Sequence, residues 1–193
     1  MVASLLDTYR RATPAQRERG REWYRDFRRE CARIARETDT PLRRVVATAA
    51  ITSPDARLST NVSWTRQACV TRGAAKVGRY PNAMHARYAP ILTGAVRPQD
   101  GVGGRKVTSF YRAILGDSDA VVLDRWALRA AGHGRDTCTD KQYDAIAGLY
   151  REAAFLMHET PAAFQAIVWI VLRDSAVRSD GARQGLTDLR EAA

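Results

Sequence analysis

The chain is poor in the residues that build metal and redox centres, with three cysteines and three histidines among 193 residues. Cys31, Cys69 and Cys138 lie far apart, and His85, His133 and His158 have no ligand spacing, so no zinc or iron–sulfur site and no cofactor is expected. Thiols this scattered fit a reducing compartment. No run approaches the roughly 20 apolar residues that cross a bilayer, and the first residues lack the apolar segment of a signal peptide. A soluble, cytoplasmic protein without a membrane partner is expected, as a monomer. There is no Walker loop, no dinucleotide fingerprint after a strand and no Gly-x-Ser-x-Gly elbow, which removes the usual support for kinase, dehydrogenase and serine-hydrolase chemistry. Alternating strand patterns are missing too, so the class expected is all-α.

Lysine is nearly absent among the 31 basic residues, being found only at Lys76, Lys106 and Lys141. Basic residues exceed the 21 acidic ones by 10, and a pI near 10.1 favours association with polyanions. The excess is uneven. Residues 1 to 97 carry 19 basic and 8 acidic side chains, whereas residues 98 to 193 carry 12 and 13. Arginines between positions 10 and 36 alternate with Glu18, Glu22, Asp26 and Glu30, which is the pattern of a solvated helix face laced by close ion pairs, and equally a source of phosphate-facing charge.

What is present reads as helices with clear starts. Thr13-Pro14, Thr40-Pro41 and Thr160-Pro161 each place a capping residue before a proline at the first helical position, and Thr13 with Gln16 can form a capping box. Apolar stripes recur at three- and four-residue spacing: Trp23, Phe27, Cys31 and Ile34; Ile146, Leu149, Ala153 and Leu156; Phe164, Ile167, Val168, Val171 and Leu172. Residues 93 to 104, with Pro98, form the clearest loop. With 45% hydrophobic residues the chain can bury one core, so residues 1–178 are expected to form a single helical domain, with 179–193 a linker and short C-terminal helix.

The most informative stretch is 101 to 129, GVGGRKVTSFYRAILGDSDAVVLDRWALR. Gly101, Gly103 and Gly104 can turn the chain tightly, with exposed N–H groups before a helix, a geometry that can hold a phosphate. The helix expected over 105 to 115 carries an apolar stripe of Val107, Phe110, Tyr111, Ile114 and Leu115. Gly116 and Asp117 close it, and Asp119 can cap the next helix. Val121, Val122 and Leu123 then run into Asp124, a carboxylate in apolar surroundings that needs a partner or a job. Lys106 in an arginine-rich chain suggests that the amine matters, as a nucleophile or as a phosphate-positioning group, although an incidental lysine fits as well. Asp124 can equally be a helix cap or pair with Arg125 or Arg129. Trp126 can stack on a base or fill the core, and Ser53 and Asn61 can contact a base or order their loop.

At these residues the chain resembles the helix-hairpin-helix base-excision DNA glycosylases, in which a Gly-x-Gly-x-Lys turn is followed one helix later by a Val-Asp segment. Here the elements are Gly103 to Lys106 and Val122 to Asp124, with Val102 standing where the first glycine of the pair would be. Residues 45–61 resemble the family's early helix and loop, 80–92 the helix before the hairpin, and 164–172 its late tryptophan-bearing helix, so the likeness spans roughly 40 to 175. It is similar in particular to small phage-encoded proteins of that superfamily, through Ser53-Pro54, Asn61, Gly104 to Tyr111 and Gly116 to Trp126.

The resemblance implies a glycosylase-like fold of two helical lobes around a cleft, DNA as partner, and a bacterial or phage-infected host cell as location. Asp124 would stabilise an oxocarbenium-like sugar, Lys106 would attack the sugar or hold the backbone, and Gly101, Gly103, Gly104, Arg105, Ser53, Asn61, Arg125 and Trp126 would contact DNA or substrate. Asp55 stands where many glycosylases use glutamine, and a carboxylate there is unfavourable beside phosphates. The same resemblance allows a thymine-hypermodification transferase. The basic N-terminal half and the hairpin would also suffice for a DNA-binding module without catalysis.

Overall fold

The computed structural model describes residues 1–179, with side chains through residue 175. Its described elements are all helical: α1 (Val2–Arg10), α2 (Pro14–Glu37), α3 (Leu42–Thr52), α4 (Leu58–Val70), α5 (Pro81–Thr93), α6 (Pro98–Gly101), α7 (Arg105–Leu115), α8 (Arg125–Ala130), α9 (Asp140–Leu156) and α10 (Pro161–Ser179). The protein is therefore all-α. The expected C-terminal linker and helix lie outside the described residues, apart from Ser179, which ends α10.

Two of the three Thr-Pro boundaries work as anticipated. Thr13 Oγ1 accepts from the Gln16 N–H at 3.2 Å while the Thr13 N–H donates back to Gln16 Oε1 at 3.0 Å, and Thr160 Oγ1 accepts from Ala163 N–H. Thr40 differs: its hydroxyl turns back toward Thr38, and α3 starts at Leu42 with Pro41 in the cap position and no side-chain cap. A further capping box, Thr139 with Gln142, opens α9.

The chain divides into two compact units. Unit 1 takes Met1–Trp23 and the chain from Asp117 on; unit 2 takes Tyr24–Gly116. The contacts separate within α2, between Trp23 and Tyr24.

Unit 2 is built around α3, which is buried without interruption from Val45 to Thr52. A helix apolar on all sides must be enclosed, and α4, α5, α6 and α7 pack on it. Phe27, Cys31 and Ile34 from α2 complete the core, as do Tyr88, Ile91 and Val102. On α7, Tyr111 and Ile114 are buried, and Val107, Phe110 and Leu115 pack partly buried beside them, so the expected stripe faces the core. The segment 93–104 is not wholly irregular, because Pro98 starts the short α6.

Unit 1 packs α1, α8, α9 and α10 around Leu5, Leu128, Ile146, Tyr150, Phe164, Ile167 and Val168. Gly20 of α2 meets Ile167, and a Cβ there would lie 2.3 Å from its side chain, so glycine permits this approach. Two expected stripes are corrected here. Trp23 leaves the run of Phe27, Cys31 and Ile34 and instead lies 4.9 Å from Trp169, ring centroid to centroid. Leu156 at the end of α9 is 51% exposed rather than buried.

Candidate functional site

Asp124 is positioned by α9. Residues 120–123, expected to lead into a helix capped by Asp119, are non-helical and buried. Asp119 instead pairs with Arg151 at 3.0 Å, and its own N–H donates to Asp117 Oδ1 in a local turn. The buried peptide groups of this segment find partners on α9, where Tyr143 Oη donates to Val121 O at 2.7 Å and accepts from Leu123 N–H at 3.3 Å. Tyr150 Oη donates to Ala127 O at 2.9 Å, which fixes the start of α8. The chain thereby delivers Asp124 to the N-cap of α8, where Oδ1 accepts from Ala127 N–H at 2.9 Å.

The second carboxylate oxygen is also engaged. Trp169 Nε1–H donates to Asp124 Oδ2 at 3.0 Å, and the Arg173 guanidinium lies 4.8 Å from the Trp169 ring centroid. Trp169 and Arg173 are one turn apart on α10 and half-buried, with Trp23 tilted against the indole. Burial holds the Arg173 guanidinium below its ordinary pKa. Asp174 and Asp124 oppose that shift, while Arg19 adds to it. The result is a carboxylate with both oxygens accepting one hydrogen bond each, near a cation seated on an aromatic face.

The hairpin lies in unit 2. Gly103 and Gly104 take φ of +54° and +65°, the left-handed region that favours glycine. Gly101 does not share this role: it ends α6, and its lack of a Cβ admits Ile91, whose Cδ1 would lie 2.7 Å away. Val102, in the place of the missing glycine, is fully buried, and its carbonyl accepts from Arg87 Nη1 at 3.3 Å. Gly104 caps α7 without a side chain, and the first backbone bond of that helix runs from Thr108 N–H to Gly104 O. The amides of Arg105, Lys106 and Val107 thus open the helix with no acidic side chain in the first turn. Arg105 is exposed, and Lys106 is half-buried with no ion pair among the described residues.

The other expected contacts separate. Ser53 Oγ donates to Ala50 O at the end of α3. Asn61 is buried: its amide donates to Ala49 O at 3.1 Å and Thr52 Oγ1 at 2.8 Å, tying α4 to α3, so it orders the structure and is not a surface contact. Arg125 is exposed beside Asp124, and Trp126 is half-buried with the Arg129 guanidinium 5.4 Å from its ring centroid. Arg129 pairs with Asp136 at 3.0 Å and not with Asp124, so the cap reading of Asp124 is the one realised. Lys106 and Asp124 fall in different units.

One family model matches residues 1–176. The chain belongs to the DUF7178 family. That family is described as one of unknown function, and its match takes in Lys106, Asp124, Trp169 and Arg173 alike. No curated protein and no solved structure matches the chain. In this DUF7178 protein the described residues hold no group of three or more His, Cys, Asp or Glu suited to a metal ion, and no single described helix is long and apolar enough to cross a membrane. Trp169 enters the sequence reading only within the tryptophan-bearing helix of the resemblance, 164–172, and Arg173 not at all, so neither is given a role there. Their four-residue spacing, with an aromatic and a cation on one face, is the signal that could have found them.

Proposed function

We propose that the protein acts on DNA as a glycosylase-like enzyme that cleaves the N-glycosidic bond of a damaged or modified base. The observation that carries the reading is Asp124, held by the Ala127 N–H and the Trp169 indole at a helix start. Each carboxylate oxygen keeps a further lone pair that can face a substrate. In the reaction, the C1′–N bond breaks, its electron pair leaves with the base, and the base takes up a proton from water. Asp124 stabilises the positive charge developing on the sugar. A water molecule then attacks C1′ and gives its proton to Asp124, which returns it to solvent. Taken by itself, unit 2 offers the hairpin amides and Lys106 as a phosphate contact.

A second reading is a DNA-binding module without chemistry. It is favoured by the charge of unit 2, which carries 17 basic and 6 acidic residues, and by the ordinary structural bonds that Asp124 makes. Mass spectrometry of nucleosides and free bases, after incubation with damaged, unmodified and phage-type modified DNA, separates the two. Base release by the wild type and not by Asp124→Asn establishes the glycosylase. A mass gain on thymine points to transfer, and salt-sensitive binding with no covalent change in any DNA leaves the module.

A further inference from the structure

From residue 56 to 99 the chain has no Asp or Glu and seven Arg or Lys, its longest stretch without a carboxylate. Elsewhere in unit 2 the charges are mixed: on α2, Arg29 pairs with Asp26 and Arg33 with Glu30 and Glu37, and Glu37 also takes Arg66. Three of the seven cations, Arg72, Lys76 and Arg79, sit in the connection between α4 and α5, residues 71–80. All three are exposed and have no ion pair among the described residues. The connection ends on Tyr80, whose ring is 54% exposed.

This connection is not a loose loop. Tyr88, fully buried on α5, donates from its hydroxyl to Ala75 O at 2.6 Å and accepts from Val77 N–H at 2.9 Å. His85 Nε2 lies 2.8 Å from Gly73 O, and Ala75 N–H donates to Thr71 Oγ1 at 3.0 Å. The Gly73 N–H donates to Ala68 O at 2.8 Å, and the Val77 side chain enters the core. Tyr80 Oη donates to Asp55 Oδ2 at 3.2 Å, so the carboxylate that sequence reading sets against DNA is turned to a phenol. The backbone from 71 to 77 is thus held without a ligand, while the cations and the ring are exposed.

We propose that residues 71–80 form a binding site for single-stranded nucleic acid, with Arg72, Lys76 and Arg79 on backbone phosphates and Tyr80 stacked on an unpaired base. Three cations without an ion pair answer a polyanion, the one carboxylate beside them, Asp55, being bonded to the Tyr80 hydroxyl, and an exposed ring answers a base face that a duplex keeps hidden. An anionic membrane is the weaker match, because surface helices that bind lipid present a broad apolar face. Here α4 turns Ala68 and Cys69 to the core, and of its apolar residues only Val70, at its end, is exposed. The inference deepens the DNA-directed reading, on which its biological meaning rests, but the binding itself does not require Asp124.

The test is fluorescence anisotropy of a labelled oligothymidylate of about 15 nucleotides with the full chain across a salt series. The variants are Arg72→Glu/Lys76→Glu/Arg79→Glu, Tyr80→Ala and Tyr80→Phe. Arg11→Glu/Arg135→Glu/Lys141→Glu in unit 1 controls for the same change in net charge, and circular dichroism confirms each fold. The loop reversal is expected to weaken binding at least tenfold more than the control and to lower the salt slope by about 2, at about 0.7 per phosphate. Tyr80→Ala is expected to lose roughly 5- to 100-fold and Tyr80→Phe about twofold or less, since stacking needs the ring and not the hydroxyl. Equal affinity of the loop reversal and the control overturns the site, as does binding to anionic vesicles with none to the oligonucleotide. Loop-dependent binding by a protein that releases no base keeps this site and removes the glycosylase. Base release together with oligonucleotide binding that the loop reversal weakens no more than the control does the opposite.

Discussion

The indole of Trp169 donates to Asp124 Oδ2 at 3.0 Å, so a residue of α10 orients the carboxylate that opens α8. The bond occupies one lone pair of one oxygen, and the Ala127 N–H occupies one of the other. Asp124 is thus held in one orientation without being saturated, which the proposed cleavage would require of it. The same bonds would be made by a purely structural cap, so stability and activity must be measured separately.

Stability should report the coupling first. Asp124→Ala removes a cap and strands the indole N–H, at about 1–2 kcal/mol, and Trp169→Phe leaves Oδ2 without its donor. The double variant is expected to cost about 1 kcal/mol less than the sum of the singles, read by urea denaturation. Additivity within about 0.3 kcal/mol would show that the contact is not maintained in solution.

Tyr143→Phe probes how the site is built. The hydroxyl serves both Val121 O and Leu123 N–H inside the core, so its removal orphans two buried peptide groups. A loss of about 1–3 kcal/mol is expected, with earlier hydrogen exchange at Leu123. An unchanged exchange rate would mean that the segment is held by packing alone.

The two hairpin glycines should respond differently to alanine. Both pay for a positive φ, at about 1–3 kcal/mol, and Gly104 also for a ψ of 136° outside the left-handed helical well. At Gly104 the added Cβ meets open space, whereas at Gly103 it would lie 2.7 Å from Arg87 Nη1 and displace the group that donates to Val102 O. By thermal melting, Arg87→Ala is expected to offset part of the cost of Gly103→Ala and none of the cost of Gly104→Ala. No such offset at Gly103 would show that Arg87 moves aside freely.

Burial pushes the Cys31 and Cys69 thiols up to about 12. In the unfolded chain they ionise near pH 8.5, so above that pH the unfolded state binds fewer protons than the folded one. Stability contributed by the neutral thiols is present below about pH 8.5 and falls as pH rises toward 12, by at most about 1.4 kcal/mol per unit for each thiol. Tyr9, Tyr88 and Tyr111 are also raised by burial and act in the same direction. Cys31→Ala/Cys69→Ala should therefore flatten, not abolish, the alkaline decline in urea-derived stability between pH 8 and pH 10. A thiol reagent should reach half-buried Cys138 before the other two.

Local chemistry made much of this chain legible in its sequence. α7 spans Arg105–Leu115 and stops at Gly116, as expected, because its stripe, its glycine N-cap and its left-handed glycine C-cap all lie within a dozen residues. Thr13 with Gln16 and the ion pairs along α2 are likewise interactions over three or four positions. Asp124 stood out as a carboxylate after an apolar run for the same reason.

Tertiary structure alone decided the rest. Whether Trp23 joined Phe27 or Trp169, and whether Asn61 faced solvent or the carbonyls of α3, depends on partners with no fixed spacing in sequence. The segment before Asp124 could not be read as non-helical, because its peptide groups are satisfied by Tyr143, some 20 residues away on α9. Tyr88 does the same within the basic connection at 71–80, where it holds the backbone at Ala75 and Val77. Periodicity, capping and charge were set by the sequence itself, since each acts between near neighbours. The positions of Asp124 and Tyr80 were set by the fold, because a buried peptide group takes its hydrogen bond from whichever side chain packing brings within reach.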